Sequence, residues 1–290
     1  MLKEAMLYEK QGKNFTRCFL CAHRCTIQPG KFGLCGVREN KDGTLYTHTY
    51  GDVIAQHNDP IEKKPLYHFM PGTRTYSIAA AGCNFRCTFC QNWEISQLNY
   101  RERNTYGKHM APESIVEAAV KEQCQSIAYT YTEPTIFFEY AFDIAKLAKA
   151  RGIANVFVTN GFMTSQALQV IRPYLDACNV DLKSFSDDFY QRLCSARLQP
   201  VLDTIMLVKE LGVWVEITTL LIPDQNDSAE EVSRIAEFIA STGKDIPWHI
   251  SRFFPRFAMK DAEPASVDVL YRAQEIGLKK GLKNVHLGNV

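Results

Sequence analysis

The chain has 290 residues, of which 46% are hydrophobic and 22% are charged, and its formal net charge is +1. These values predict one large globular domain, or a large domain with a small one, and they argue against nucleic acid or an anionic membrane as the main partner. No apolar run approaches the roughly 18 residues of a membrane span and the first fifteen residues do not resemble a signal peptide, so we expect a cytoplasmic protein.

A group of four cysteines with the spacing C-x2-C-x3-C-x9-C comes first along the chain. Its members are Cys18, Cys21, Cys25 and Cys35. Four thiolates this close can enclose one tetrahedral ion or an iron–sulfur cluster. A zinc ion would stabilise a small domain with little core of its own, whereas a second cluster would relay electrons. The spacing does not choose between them, nor does it exclude unrelated thiols; our preferred interpretation is a structural metal.

Residues 44–72 alternate polar and apolar side chains and contain three prolines, which predicts a β-hairpin in a small appended domain. We expect the boundary near Pro71 and Gly72, so that residues 1–72 form the cysteine-rich extension and residues 73–290 the main domain. Within the extension, the segment "DPIEKKP" (59–65) is charged and stiff. It has two interpretations, a solvated loop or a segment that crosses the mouth of the main domain and contributes to a substrate pocket.

From about residue 75, short apolar runs alternate with longer segments of helical periodicity. The predicted strands are residues 75–81, 126–131, 155–159, 178–182, 213–222, 248–254 and 284–288. Helices are predicted between them, among them residues 112–123, 134–152 and 228–243, the last with a capping box of Ser228 and Glu231. This alternation predicts an α/β fold with a parallel sheet. Because the units are too few for a closed eight-fold barrel, we expect a partial (β/α)6-type barrel.

Three further cysteines, Cys83, Cys87 and Cys90, lie directly after the first strand of that barrel with the spacing C-x3-C-x2-C. Ligands bind at the carboxyl ends of strands in such folds. Zinc with a distant fourth ligand is one interpretation. The other is a four-iron cluster held at three corners, which leaves one iron open for catalysis. Cys124, Cys178 and Cys194 are scattered, and we expect each to be a buried free thiol.

The loop resembles the signature of the radical SAM superfamily, C-x3-C-x-φ-C, in which Phe89 is the aromatic residue before Cys90. The resemblance implies a [4Fe-4S] cluster whose open iron binds S-adenosylmethionine. It also implies reductive cleavage to methionine and a 5′-deoxyadenosyl radical that abstracts hydrogen from a substrate. Phe89 is then expected near the adenine.

Polar residues at later strand ends extend the resemblance. The resemblance makes Glu133 a candidate for the methionine amino group, although Tyr131 and Thr132 replace the two glycines that usually precede it. The other candidates for cofactor contacts are Thr159, Asn160, Asp181, Lys183 and His249. Four of these candidates have a simpler alternative. Glu133 can cap a helix that starts at Pro134, Asn160 can form a turn, Lys183 can be a solvated charge, and His249 can be a satisfied polar residue.

The amino-terminal cysteine group, followed by "GLCGVREN", "DPIEKKPLYHF" and "GCNFRCTFCQNWEISQ", is similar to the radical SAM proteins of the AmmeMemoRadiSam system, which are related to the pyruvate formate-lyase (glycyl-radical) activating enzymes. This similarity implies an oxidoreductase-like enzyme with a one-electron reductant of the flavodoxin or ferredoxin type. It also implies protein partners in the system or a protein substrate, of which a glycyl residue of a partner protein is one candidate. The alternative is a non-catalytic metal or iron–sulfur scaffold, or an electron carrier.

Overall fold

Short antiparallel strands form the first part of the molecule in the computed structural model, which describes residues 2–102 and 105–290. They are β1 (Lys3–Glu4), β2 (Tyr8–Lys10), β3 (Thr16–Cys18), β4 (Thr26–Ile27), β5 (Arg38–Lys41), β6 (Thr44–Thr47) and β7 (Asp52–Val53). Strands β2, β3 and β4 form one sheet, and β1, β6 and β5 another. The β5–β6 turn places Asp42 at φ 50° and Gly43 at φ 89°. Asp-Gly favours such a hairpin because both residues tolerate positive φ.

One sheet of eight strands forms the body of the molecule. The remaining strands are β8 (Ala55–Pro60), β9 (Arg74–Ala79), β10 (Lys108–His109), β11 (Ser126–Tyr129), β12 (Ala154–Thr159), β13 (Ala177–Asp181), β14 (Trp214–Leu221), β15 (Trp248–Arg252) and β16 (Val285–Gly288). All of these except β10, which pairs with β7, belong to the main sheet, in the order β8-β9-β11-β12-β13-β14-β15-β16.

Strands β9 and β11 to β16 are parallel, and they are the seven strands predicted from the sequence. The predicted α/β fold with a parallel sheet is therefore confirmed. Strand β8 was missed: it pairs antiparallel with β9 and continues the sheet at its edge. Its sequence, AQHNDP, is polar and ends in proline, which is tolerated at a sheet edge but does not predict a strand. In the described part of the chain β8 and β16 do not pair, so the barrel is open.

Helices follow the parallel strands and pack against the sheet. They are α1 (Trp93–Ser96), α2 (Pro112–Lys121), α3 (Phe138–Ala150), α4 (Ser165–Ile171), α5 (Asp187–Phe189), α6 (Gln199–Glu210), α7 (Ala229–Thr242) and α8 (Val267–Lys279). The capping box predicted for α7 is half formed. Ser228 accepts a hydrogen bond from the Glu231 amide, but the Glu231 carboxylate accepts from Ser184 and from the Phe185 amide instead. Within residues 2–102 and 105–290, no helix combines the length and apolar character needed to cross a membrane.

The segment Ile61 to Phe69 lies across the inner face of the main sheet. Ala128, Val156 and Ala177 are register partners on adjacent strands, so their side chains share that face. Ile61 and Leu66 pack against these three small side chains and are fully buried. The segment therefore fills the interior of the open barrel and is not a solvated loop. Residues 1–72 thus share a core with the rest of the chain, and the boundary near Pro71 stays a prediction.

Glu216 attaches this inner segment to the sheet. Its carboxylate accepts hydrogen bonds from the backbone amides of Tyr67 and His68 at 3.0 and 2.9 Å. It also accepts from the Trp214 indole at 3.0 Å and lies 2.6 Å from Nε2 of His249. Burial raises the pKa of Glu216, but these donors outweigh burial and hold the pKa below its ordinary value. A charged acceptor with several buried donors contributes stability because none of its partners is left unpaired.

Replacing Glu216 with Gln should reduce the free energy of unfolding by about 3 kcal/mol. One carboxylate oxygen becomes an NH2 group, so the buried donors on that side lose their acceptor and face another donor. Urea unfolding followed by circular dichroism measures the change. Glu237→Gln is the control, because Glu237 is a solvent-exposed carboxylate on α7. Equal stability of the two variants would contradict the anchoring role of Glu216.

Candidate functional site

Cys83, Cys87 and Cys90 lie on the connection between β9 and α1, at the carboxyl end of the sheet, and all three line one cavity of about 340 Å³. This volume is within the range of small-molecule sites. The loop begins with Gly82 at φ +102°, where an added Cβ would approach Cγ1 of Val37 to 2.7 Å. Glycine at this position therefore lets the cysteine loop pack directly on the amino-terminal extension.

The surroundings of the three thiols raise the pKa of each of them. Burial raises the pKa of Cys83 and of Cys90. A hydrogen bond with Cys194, followed by burial, raises the pKa of Cys87. Thiolates in such a place need a compensating cation, and metal binding supplies one while releasing the protons. The donor set of three soft sulfurs fits an iron–sulfur centre.

Among the described residues, no group of three or more His, Cys, Asp or Glu side chains could hold a single metal ion as they stand. The three sulfurs instead surround a cavity that they share with polar groups from other strands. The choice between zinc and a four-iron cluster at this loop stays a prediction.

Glu133 lies at the end of β11 and is only 2% exposed. Its Oε1 accepts hydrogen bonds from the Thr135 amide at 3.1 Å and from the Thr159 hydroxyl at 2.7 Å. Its Oε2 accepts from the Asn160 amide at 2.8 Å. Burial raises the pKa of Glu133, and these donors partly oppose it. Glu133 thus caps the 3₁₀ turn Pro134–Phe137, as one alternative predicted, and it also lines the cavity.

Asn160 connects the end of β12 to the cysteine loop. Its Nδ2 donates to Oδ1 of Asn84 at 2.8 Å and lies 3.8 Å from Sγ of Cys83. Its Oδ1 accepts from the Phe162 amide at 3.0 Å, which is the turn that the sequence also allowed. One side chain therefore serves the local turn and contacts a thiol of the cavity.

Lys183 and Asp181 bring the end of β13 to the same cavity. The Lys183 ammonium lies 2.9 Å from the Asp181 carboxylate and 5.8 Å from the centre of the Phe89 ring. The Lys183 side chain is 14% exposed, so it is not a solvated rim charge. Burial lowers its pKa, but the Asp181 carboxylate and Cys87 outweigh burial and raise it. The ammonium therefore stays charged beside the cysteine loop.

Tyr131 occupies a left-handed conformation, with φ 61°, at one of the two positions where the resemblance stated above led us to expect glycine. A non-glycine residue in this region costs about 1–2 kcal/mol. The Tyr131 hydroxyl donates to the Asp59 carboxylate, and the Lys64 ammonium lies 4.4 Å from the centre of the Tyr131 ring. Lys64 is 2% exposed and its ammonium is 2.7 Å from Asp59. The buried Asp59–Lys64 pair thus holds the Tyr131 ring while its backbone lines the cavity.

The inner segment contributes Lys63, Lys64 and Pro65 to the lining of the cavity. This agrees with the interpretation that "DPIEKKP" contributes to a pocket. Thr218, Leu220 and Ser251, from β14 and β15, complete the lining on the far side. Thr218 and Ser251 were missed because short hydroxyl side chains in an apolar strand carry no functional signal, and Leu220 because an apolar residue in a strand is expected in any core.

His249 fits the alternative of a satisfied polar residue, and Cys194 is the expected buried thiol but has a neighbour that the sequence did not indicate. His249 is not among the residues that line the cavity; it is buried against Glu216 and stacks on His286 at 5.2 Å between ring centres. Cys194, expected only as a buried free thiol, is buried and free but lies beside Cys87. Cys124 and Cys178 are also buried free thiols, as predicted. The remaining candidates, among them Phe89 and Thr159, all line the cavity.

Comparisons with known proteins agree on one family. The family model described as "Radical SAM superfamily" matches residues 77–239. The uncharacterized protein MJ0808 of Methanocaldococcus jannaschii is 43% identical over 295 residues, covering 100% of this chain and 86% of that protein. A pyruvate formate-lyase-activating enzyme of Clostridium pasteurianum is 24% identical over 58% of this chain and 70% of its own. Among solved structures, a radical SAM methyltransferase from Sphaerobacter thermophilus has a similar fold, with a TM-score of 0.57, 15% identity and coverage of 76% of this chain and 67% of its own.

Asp59→Asn should reduce the free energy of unfolding by about 3 kcal/mol near neutral pH, because it leaves the buried Lys64 ammonium without its counter-charge. Burial raises the pKa of Asp59, but Lys64 and Tyr131 outweigh it and hold the pKa well below its usual range. The carboxylate's contribution is therefore fully present above the ordinary pKa of 3.8 and is lost as the pH falls through the lowered value.

Urea unfolding of the wild type and of Asp59→Asn at neutral and at acid pH tests this expectation. The difference between wild type and Asp59→Asn should shrink in acid, while the exposed control Asp261→Asn should stay close to wild type at every pH. A difference that grows as the pH falls would contradict the assignment.

Proposed function

Because the chain belongs to the radical SAM superfamily, we propose that it reductively cleaves S-adenosylmethionine at the cavity lined by Cys83, Cys87 and Cys90. The superfamily implies an enzyme with a [4Fe-4S] cluster and S-adenosylmethionine. Together these supply one-electron cleavage of a carbon–sulfur bond, which yields methionine and a 5′-deoxyadenosyl radical. The observation that carries the proposal is that the cysteine loop and the polar ends of successive parallel strands line one cavity.

The three cysteines are the proposed cluster ligands, and the other strand ends are the proposed contacts for S-adenosylmethionine. Glu133 would accept the amino group of the methionine part, and Lys183 would donate to its carboxylate. Phe89 is 3% exposed and supplies an apolar wall beside Lys183, suited to the adenine. Thr159 and Asn160 would serve the ribose side. Asp181 fixes the position of the Lys183 ammonium through the ion pair between them.

We propose a hydrogen atom of a substrate as the target of the radical, and a glycyl residue of a partner protein as one candidate donor. The support is the similarity to proteins named pyruvate formate-lyase-activating enzyme. The cavity edge carries Gln91 and Asn92, whose side chains are exposed, so a substrate can approach from solvent. Deuterated candidate substrates would identify the donor through the mass of the recovered 5′-deoxyadenosine.

The electron is proposed to come from a one-electron reductant of the flavodoxin or ferredoxin type in the cytoplasm. All ten cysteines are free, which suits a reducing compartment. The amino-terminal cysteines Cys18, Cys21, Cys25 and Cys35 are proposed to bind a second metal centre, either zinc or an iron–sulfur cluster.

Replacing Cys83, Cys87 or Cys90 with Ala should abolish formation of 5′-deoxyadenosine, because a cluster with one thiolate fewer does not assemble with its open site intact. The measurement is liquid chromatography of anaerobic reactions with dithionite and S-adenosylmethionine. Cys124→Ser is the control, because Cys124 is a buried free thiol away from the cavity. If wild type forms no more product than Cys87→Ala, a non-catalytic iron–sulfur protein becomes the better description.

Glu133→Gln should weaken binding of S-adenosylmethionine by about tenfold or more while leaving the iron content unchanged, since a charged acceptor for the ammonium is lost. Equilibrium dialysis and iron analysis measure the two quantities. Thr135→Val is the matched control, because it removes a hydrogen bond to the same buried carboxylate but keeps the charge. Loss of iron in Glu133→Gln would contradict the proposed contact.

A further inference from the structure

The chain turns sharply between the end of β11 and Glu133, and Tyr131 is the central residue of this turn. Tyr131 has φ 61°, and the Thr132 amide donates to the Thr130 carbonyl at 2.7 Å around it. A three-residue turn with positive φ at its centre is rare and strained. All four residues, Thr130, Tyr131, Thr132 and Glu133, line the cavity of the cysteine loop. The strained turn therefore leads directly into the proposed acceptor for the ammonium group of S-adenosylmethionine.

Two hydrogen bonds attach the turn to its neighbours on either side. The Thr132 hydroxyl donates to the Ala80 carbonyl at 2.7 Å, which connects the turn to the end of β9. The Asn92 amide group donates to the Tyr131 carbonyl at 2.8 Å, and Asn92 lies two residues after Cys90. Neither bond uses the Tyr131 side chain, so neither one favours tyrosine over glycine at this position.

Strand β8 and the inner segment hold the Tyr131 side chain. The Tyr131 hydroxyl donates to the carboxylate of Asp59 on β8. The ammonium of Lys64 lies 2.7 Å from the same carboxylate and 4.4 Å from the centre of the Tyr131 ring. The His57 ring packs edge-on against the Tyr131 ring, with 5.6 Å between the ring centres. Because the side chains of Asp59 and Lys64 are only 7% and 2% exposed, water weakens these contacts little.

Tyrosine and glycine differ in what they need at this position. Glycine populates positive φ about as readily as negative φ, whereas tyrosine keeps such a conformation only where its surroundings stabilise it. Here the stabilising contacts are those to Asp59 and Lys64, which a glycine cannot make. A site whose binding-competent conformation is only partly populated binds its ligand more weakly in proportion. Asp59 and Lys64 therefore control the fraction of the protein in which the turn is formed.

We propose that Tyr131 is a positioning residue for S-adenosylmethionine, and that Asp59 and Lys64 hold its left-handed turn in the conformation that presents Glu133 to this ligand. The inference rests on the proposed function of the cavity. It makes the affinity for S-adenosylmethionine depend on side chains of β8 and the inner segment that act through the turn. The strain at Tyr131 and the buried ion pair beside it then serve one purpose.

Hydrogen exchange of the full-length protein without S-adenosylmethionine tests the support of the turn. Peptides that cover residues 129–135 should exchange about tenfold faster in Asp59→Asn than in wild type, because the unsupported turn opens more often. Asp245→Asn is the matched control, since Asp245 pairs with Lys209 on the surface and does not line the cavity. Equal exchange in Asp59→Asn and wild type would overturn the proposal.

Equilibrium dialysis of S-adenosylmethionine against the anaerobically reconstituted protein tests the positioning role. Asp59→Asn should weaken binding by about tenfold with unchanged iron content. In a Tyr131→Gly background the same substitution should weaken binding no further, because glycine adopts the turn without support. The unpaired Lys64 destabilises the protein in both backgrounds, so destabilisation alone does not produce this difference. Equal weakening in the two backgrounds would overturn the positioning role.

Tyr131→Phe decides the matter even where Asp59→Asn does not fold, because it leaves the Asp59–Lys64 pair intact and removes only the hydroxyl group. Binding of S-adenosylmethionine should weaken by about threefold, the worth of one hydrogen bond. Unchanged affinity would contradict the role of Asp59. If the wild type itself binds no S-adenosylmethionine, the proposed function fails and the positioning role fails with it, whereas the exchange experiment still decides whether Asp59 supports the turn.

Discussion

The rest of the site depends on the hydrogen bonds that the fully buried carboxylate of Glu216 accepts. It accepts hydrogen bonds from two consecutive backbone amides of the inner segment, at Tyr67 and His68. These bonds hold a polar, charged stretch inside an open barrel, where Ile61 and Leu66 provide the apolar contact. Lys63, Lys64 and Pro65 then line the cavity together with the carboxyl ends of the parallel strands. The lining of the site therefore depends on where the segment is held.

Two ion pairs border the site, one buried and one partly exposed. The buried pair of Asp59 and Lys64 supports the left-handed Tyr131, and the partly exposed pair of Asp181 and Lys183 places an ammonium beside the cysteine loop. A buried ion pair adds little net stability because both partners lose their hydration. The value of both pairs lies in position, since each fixes a group that borders the cavity.

Residues of the amino-terminal extension contact the cysteine loop of the site. Val37 packs against Gly82 at the start of the cysteine loop, and Arg86 of that loop bonds the Cys35 carbonyl. Strand β8 extends the main sheet. These side-chain contacts fix the two cysteine groups relative to each other.

The sequence by itself determined the seven parallel strands, their order along the chain and the convergence of the cysteine loop with Glu133, Asn160 and Lys183. It could do so because strand–helix alternation and residues at strand ends are local patterns, and a parallel sheet places those ends on one edge. Only the tertiary structure decided that "DPIEKKP" lies inside the barrel, that His249 turns to Glu216, and that Cys194 joins Cys87. These depend on contacts between residues far apart in the chain. Polar strand β8 and the strained Tyr131 are stabilised by such contacts and oppose the local preferences of their own sequence.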